Sequence, residues 1–142
     1  MKAVATLIFS LVMLSTLPAT SSNWVNIPST ATQFESSSFK TSKAGVTTVW
    51  FKQILNEKMV KETISPYYES SGYSHTLFSD EYNCYDKTYR VTNVVHYAND
   101  GHTISSTANL ENAPFLPVVP DSTGDSILSY VCDFAAHKKK TK

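Results

Sequence analysis

Residues 81–101 read EYNCYDKTYRVTNVVHYANDG, and this stretch decides the fold. It alternates polar and apolar side chains, is rich in Tyr, Val and Thr, and ends on Asn99-Asp100-Gly101. These residue types are typical of a strand that is buried on one face, and Asp-Gly between strand-like runs is a strong hairpin signal. The stretch therefore predicts one long strand, or two strands with a bend. We expect HTISSTAN at 102–109 to pair back onto it.

Three segments upstream have the residue types of strands. They are WVNIP at 24–28, TQFESSSF at 32–39 and VTTVWFKQIL at 46–55. The last carries large apolar groups on both alternating faces, which predicts a strand covered on both sides or at a dimer contact. Residues 56–80 show no clear period, and we expect a mobile loop there. The whole pattern predicts an antiparallel sheet of about five or six strands.

The spacing of apolar residues changes from strand-like to helical near the C-terminus. Ser122 and Asp125 have the spacing of a capping box. After them, apolar residues recur at helical spacing, namely Ile127, Leu128, Val131, Cys132 and Ala135. This single stripe predicts an amphipathic helix that packs on the sheet, so the fold class is α+β.

The N-terminus indicates the compartment. Lys2 precedes an uncharged apolar run at 3–17, Pro18 ends the run, and the small residues Ala19 and Ser21 follow. This is the order of a secretory signal peptide, which we expect to be cleaved after Ser21, or else after Ala19. The run is shorter than the roughly 20 residues of a membrane span. No cysteine follows it, so we expect an exported chain without a lipid anchor or membrane span, in the periplasm, secreted or at the cell surface.

The two cysteines, Cys84 and Cys132, are expected to form a disulfide, because export places them in an oxidising space. They lack the C-x-x-C spacing of a redox pair or of a zinc site. A bridge between them would tie the terminal helix to the sheet. The alternative, a reactive free thiol, is disfavoured by the even cysteine count.

Length and charge narrow the class of function. The chain has 142 residues, which suits a signal peptide at 1–21, a single domain at 22–136 and a basic tail at 137–142. Without Lys2 and the four lysines of the tail, seven basic residues stand against twelve acidic ones. A mildly acidic body disfavours nucleic-acid binding. No nucleophile-elbow, zincin or phosphate-loop motif occurs, so we expect no enzyme.

Several sequence features in this order resemble the bacterial surface-adhesin protein E family. They are a Trp near the mature start, V-W-F after a Gly turn, D-E-Y-N-C-Y-D-K-T-Y-R-V, H-Y-A-N-D-G-H-T-I-S-S and V-V-P-D-S-T-G-D-S-I-L-S-Y-V-C. The resemblance spans residues 24–134. It implies an antiparallel sheet with a C-terminal helix tied to it by the disulfide, and a non-enzymatic surface role. The implied partners are host extracellular-matrix or serum proteins such as vitronectin and laminin, and the resemblance also implies a homodimer.

The resemblance also implies where a partner would bind. The matching positions are Lys87 and Arg90, with Tyr85 and Tyr89 beside them. Tyr and Arg are enriched at protein interfaces. The alternative interpretation is an ordinary solvent face of an antiparallel sheet.

The histidines suggest a second candidate function. His96 and His102 flank the turn at 99–101, and in a tight hairpin they would face each other across the strands. Haem is a further ligand implied by the resemblance. Two imidazoles without a third ligand make a weak metal site, so we expect no cofactor. The alternative function is a periplasmic protein that binds haem or a metal ion through these two side chains.

Overall fold

A computed structural model describes residues 22–56, 58–60 and 72–140 of the chain. The predicted signal peptide at 1–21 lies outside the described residues, as do parts of the predicted loop at 56–80.

One antiparallel sheet of eight strands forms the body of the protein. The strands are β1 Trp24–Asn26, β2 Thr32–Glu35, β3 Lys40–Thr41, β4 Val46–Gln53, β5 Tyr73–Asn83, β6 Thr88–Ala98, β7 Thr103–Thr107 and β8 Leu116–Pro117. Six of them follow the order β1-β2-β4-β5-β6-β7, while β3 pairs with β4 and β8 pairs with β6. A 3-10 turn spans Leu110–Asn112, and the helix α1 spans Thr123–Lys140. This architecture confirms the predicted α+β fold.

Two local predictions about boundaries are confirmed. The β6–β7 hairpin turns at Gly101, whose φ of 87° favours glycine. At the start of α1 the Ser122 hydroxyl accepts the Asp125 backbone N–H at 3.2 Å, as an N-cap does. The Asp125 carboxylate reaches back to the backbone N–H of Asp121 at 3.1 Å. The reciprocal bond of a capping box is therefore made one residue further upstream.

Two predictions about the central hairpin are wrong. The expected loop extended to residue 80, but Tyr73–Asn83 forms β5, an 11-residue strand between β4 and β6. Of the two forms predicted for residues 81–98, two strands with a bend is the one observed, but Cys84 lies in the turn between β5 and β6 and not on a strand. The Asn83 side-chain oxygen accepts the backbone N–H of Tyr85 at 3.1 Å and of Asp86 at 3.3 Å. A local Asn–backbone turn of this kind ends a strand.

The helix covers one face of the sheet. Leu128 and Val131, both in the predicted stripe, are buried, and Ile127, Cys132 and Ala135 pack against the same core. The ring of Phe34 on β2 lies 5.6 Å from Tyr130 and 5.1 Å from Phe134 between centroids. Burial of this aromatic and aliphatic area is the main force holding α1 on the sheet.

The predicted disulfide is confirmed. Cys84 and Cys132 are bonded, with their Cα atoms 5.7 Å apart, and the chain has no free cysteine. The bond joins the β5–β6 turn to the third turn of α1. Helix and sheet are therefore connected covalently as well as by packing.

The face of the sheet opposite α1 is not covered by that helix, and we call it the helix-free face. The difference is clear along β4, where Phe51 is fully buried and its neighbour Trp50 is 36% exposed. Of the two expectations for this strand, cover within the chain is found on the α1 side, and a dimer contact on the other side stays a prediction. None of the helices in the described ranges is long and apolar enough to cross a membrane.

Candidate functional site

The helix-free face of the sheet carries a shallow groove of about 310 Å³, which we call the aromatic groove. Three aromatic rings, two aliphatic side chains and two polar groups line it. They are Trp24, Trp50, Tyr97, Leu77, Val95, Glu35 and Ser38. The composition, mostly apolar with few polar groups, is that of a binding site.

Strand pairing explains how distant residues meet in the groove. Trp24 on β1 lies opposite Glu35 on β2. The register of β2 with β4 ends at the pair Phe34–Phe51, and Glu35 and Trp50 are the next residues along the two strands. Glu35 therefore lines the groove together with both indole rings.

Ser38 completes this end of the groove. Its hydroxyl accepts the backbone N–H of Trp50 at 2.9 Å and donates to the carbonyl of Glu35 at 2.7 Å. β2 ends at Glu35, so no β2 backbone carbonyl is available to the Trp50 N–H. The Ser38 hydroxyl takes the place of that carbonyl as the hydrogen-bond acceptor. Backbone groups of this kind need a partner.

The Glu35 carboxylate is held by two hydrogen bonds. One oxygen accepts the backbone N–H of Asn23 at 3.1 Å, and the other accepts the hydroxyl of Ser37 at 2.7 Å. Desolvation raises the pKa of Glu35, but the hydrogen bonds from Ser37, Asn23 and Ser38 together lower it below its usual value. The group is thus an anion at neutral pH.

Basic and aromatic groups border the groove. The Lys52 ammonium lies 6.0 Å from the Trp24 ring centroid, within the range of a cation–π contact. His75 stacks on Tyr97 with centroids 5.0 Å apart. Burial and then the charge of Lys52 lower the pKa of His75, so this imidazole is neutral at neutral pH.

Three residues of the predicted partner patch lie at or beside the β5–β6 turn. Tyr85 is 94% exposed, and Lys87 is also exposed, with a φ of 52°. Tyr89 instead belongs to β6 and packs against the core on the helix side. Tyr85 and Lys87 are therefore accessible together, whereas the Tyr89 ring is turned towards α1.

The fourth residue, Arg90, is engaged within the molecule. Its guanidinium binds Glu81 at 2.6 Å and lies 4.6 Å above the centroid of the Phe115 ring. It faces the helix-free side, opposite to Tyr89. The structure thus does not bring the four predicted residues onto one surface, and their role in binding stays a prediction.

The expectation that His96 and His102 face each other is wrong. His96 lies opposite Ser105, and its Nδ1 is 2.8 Å from the Thr76 hydroxyl. His102 lies beside the turn, where its Nδ1 is 2.5 Å from the Asp100 carboxylate. Among the described residues no group of three His, Cys, Asp or Glu side chains is placed to hold a metal ion. Haem binding stays a prediction from the sequence.

The aromatic groove was missed by sequence reasoning. The only signal was the large Trp50 side chain on the second face of a predicted strand. The other lining residues come from four further segments of the chain, and only the strand order brings them to one place.

Comparisons with known proteins agree with this fold. A family model described as surface-adhesin protein E matches residues 22–133. The crystal structure of protein E from non-typeable Haemophilus influenzae is similar to the chain, with a TM-score of 0.53 and 14% sequence identity, over 87% of this chain and 89% of that chain. At this identity the likeness supports the fold alone. No match was found among curated proteins.

Proposed function

The chain belongs to the surface-adhesin protein E family, and from this premise we propose that it is a non-enzymatic binding protein that holds a protein partner on the helix-free face of its sheet. The partner class that the family suggests is a host extracellular-matrix or serum protein such as vitronectin or laminin.

The observation that carries the proposal is the aromatic groove. Trp50 exposes about a third of its surface although its neighbour Phe51 is fully buried, and Trp24 and Tyr97 line the same groove. Trp and Tyr are enriched at protein interfaces and among the residues that contribute most to binding. A sheet face that carries these rings and is not covered by α1 has the chemistry of an interaction surface.

Binding to immobilised vitronectin and laminin, followed by surface plasmon resonance, tests the proposal. Trp50→Ala is expected to weaken the affinity by at least about tenfold, since truncating a central aromatic anchor commonly costs about 2 kcal/mol. The double change Tyr85→Ala with Lys87→Ala is the matched control on the β5–β6 turn.

The pair of variants also locates the site. Loss of binding in the turn variant together with an unchanged Trp50→Ala would move the site to the turn that the family resemblance indicates. If the unmodified chain is not retained by vitronectin or by laminin, both named partners are rejected.

We also propose that the chain is exported. The Cys84–Cys132 disulfide fits an oxidising compartment, and the predicted signal peptide supplies the route. N-terminal sequencing of the protein recovered from cell fractions is expected to begin at Ser22 or Thr20. A start at Met1 in the cytoplasmic fraction would contradict export.

A further inference from the structure

We propose that the aromatic groove receives a basic side chain of the partner, a lysine or an arginine, between Trp24 and Trp50 with Glu35 as its counter-ion. The inference rests on the proposed function, because it names the chemistry that the same face would recognise. Nothing in the family match assigns a ligand to these three residues.

The first support is the placement of Glu35. It pairs with Trp24 across β1 and β2, and it lines the groove together with both indole rings. An indole face attracts cations through its quadrupole. A carboxylate in the same groove adds a full negative charge, so all three groups favour a cation.

The second support is that Glu35 has no cationic partner in the described ranges, 22–56, 58–60 and 72–140. The ion pairs there are Arg90 with Glu81 and His102 with Asp100. The hydrogen bonds to Glu35 come from backbone N–H groups and a hydroxyl, all of them neutral donors. The group is positioned and charged but not neutralised.

The third support is a cation that the molecule already places on one of these rings. The Lys52 ammonium lies over Trp24 at 6.0 Å from its centroid. The Trp50 ring has no such contact among the described residues. Because Lys52 is nearby, its charge opposes a second cation in part, and the expected binding is weak for a single side chain and sensitive to salt.

Charge complementarity favours a basic side chain over an apolar one in the aromatic groove. An apolar side chain that filled the groove would take the Glu35 carboxylate out of water with no compensating charge, which is unfavourable. The Ser38 hydroxyl is already used twice, by Trp50 and by Glu35, and so offers little to a neutral polar ligand. A basic group satisfies the carboxylate and packs its aliphatic stem on the rings.

Intrinsic fluorescence gives a direct test, because both tryptophans of the chain line the groove. The probe is tetralysine amide, and its control is the same peptide with all four side chains acetylated. Tetralysine is expected to change the emission saturably, and Glu35→Gln is expected to raise its Kd by at least about tenfold. Glu111→Gln, an exposed glutamate outside the groove, is the matched variant and should leave the Kd unchanged.

The salt dependence is a second measurement, which does not depend on any variant. Raising the ionic strength from about 0.05 M to about 0.5 M is expected to weaken tetralysine binding several-fold. An equal response to the acetylated peptide, an unchanged Kd in Glu35→Gln, or no response to tetralysine would each overturn the inference. A change in emission on diluting the chain alone would place a second copy in the groove and overturn it as well.

These outcomes are distinct from failure of the proposed function. If Trp50→Ala abolishes retention on vitronectin or laminin while Glu35→Gln keeps it, the face binds a protein but not through a basic side chain. If neither variant affects retention, the helix-free face is not the binding surface.

Discussion

At the scale of single residues, Asp80 is an acid in an apolar position. It is 4% exposed and lies in register with Val49 on β4 and Val91 on β6. One carboxylate oxygen accepts the Tyr82 hydroxyl at 3.0 Å, and the other has no hydrogen-bond partner in the described part of the chain. Burial raises the pKa of Asp80 to about 7, because the hydrogen bond from Tyr82 offsets only part of the desolvation.

This acid is predicted to make the protein less stable as the pH rises. The folded state holds the proton up to about pH 7 and the unfolded state releases it near pH 4. The folded state therefore binds more protons in this window, and the free energy of unfolding falls between these values, by up to about 4 kcal/mol. Urea unfolding at about pH 5, 6 and 8 measures the fall.

Asp80→Asn is the informative variant, because its side chain is neutral at every pH. It is expected to flatten the dependence and to be more stable than the unmodified chain at about pH 8. Asp133→Asn, an exposed position on α1, should keep the original slope. The same slope in Asp80→Asn would show that another group causes the effect.

Asp80 also shows why β5 escaped prediction. The pairing of β5 with β6 is interrupted between Tyr73 and His75 and again between Ser79 and Asp80. At the second interruption Thr92 is an extra residue on β6, whose hydroxyl donates to the Ser79 carbonyl at 2.8 Å. Because the extra residue lies on β6, the alternation of faces along β5 continues unbroken through Asp80. The strand escapes a period-2 search because a buried acid occupies a position where the pattern calls for an apolar side chain.

At the scale of elements, α1 is predicted well because its signals are local. The apolar stripe and the Ser122 cap lie within 14 residues of each other in the sequence. Cys84 was misplaced because the same residue types, Asn, Asp and Tyr, suit a strand end and a turn. Only the side-chain bonds of Asn83 separate the two.

The N-cap of α1 is predicted to contribute about 1 kcal/mol to stability. Ser122→Ala removes the acceptor of the Asp125 N–H, while the new residue is a good helix former. The expected result is a lower urea midpoint with an unchanged m value. Ser129→Ala, at an exposed position within the helix, should be neutral or slightly stabilising, and an equal loss in both variants would contradict the capping role.

The disulfide is predicted to contribute about 4 kcal/mol. The bridge closes a loop of 48 residues in sequence separation, and the chain-entropy model gives that value for the unfolded state. Cys84→Ser with Cys132→Ser is expected to fold, since the core side chains of α1 are unchanged, but with a urea midpoint lowered accordingly. The same midpoint with and without the bridge would mean that core packing alone fixes the helix.

At the scale of the whole molecule, the two faces of the sheet have different roles, one in stability and one in the proposed binding. The α1 side holds the core, and the other side carries the aromatic groove. The sequence predicts the first because a helix stripe and a strand face each have a visible period. The groove is different, because Trp24 and Tyr97 are 73 positions apart and meet only through the pairing of five strands. No local pattern contains that information.

The division of tasks predicts opposite outcomes for two neighbouring residues. Phe51→Ala removes a fully buried ring that stacks on Phe78 at 5.0 Å, and is expected to cost about 3–5 kcal/mol of stability. Trp50→Ala, on the groove side, is expected to cost about 1–2 kcal/mol but to lose partner binding. Urea unfolding and retention on the partner protein, measured for both variants, check this prediction.

The binding measurement separates the two residues further. If the Phe51 variant still folds, its affinity for the partner should be nearly normal. If Trp50→Ala costs as much stability as Phe51→Ala, the helix-free face is part of the core and Trp50 serves packing rather than binding.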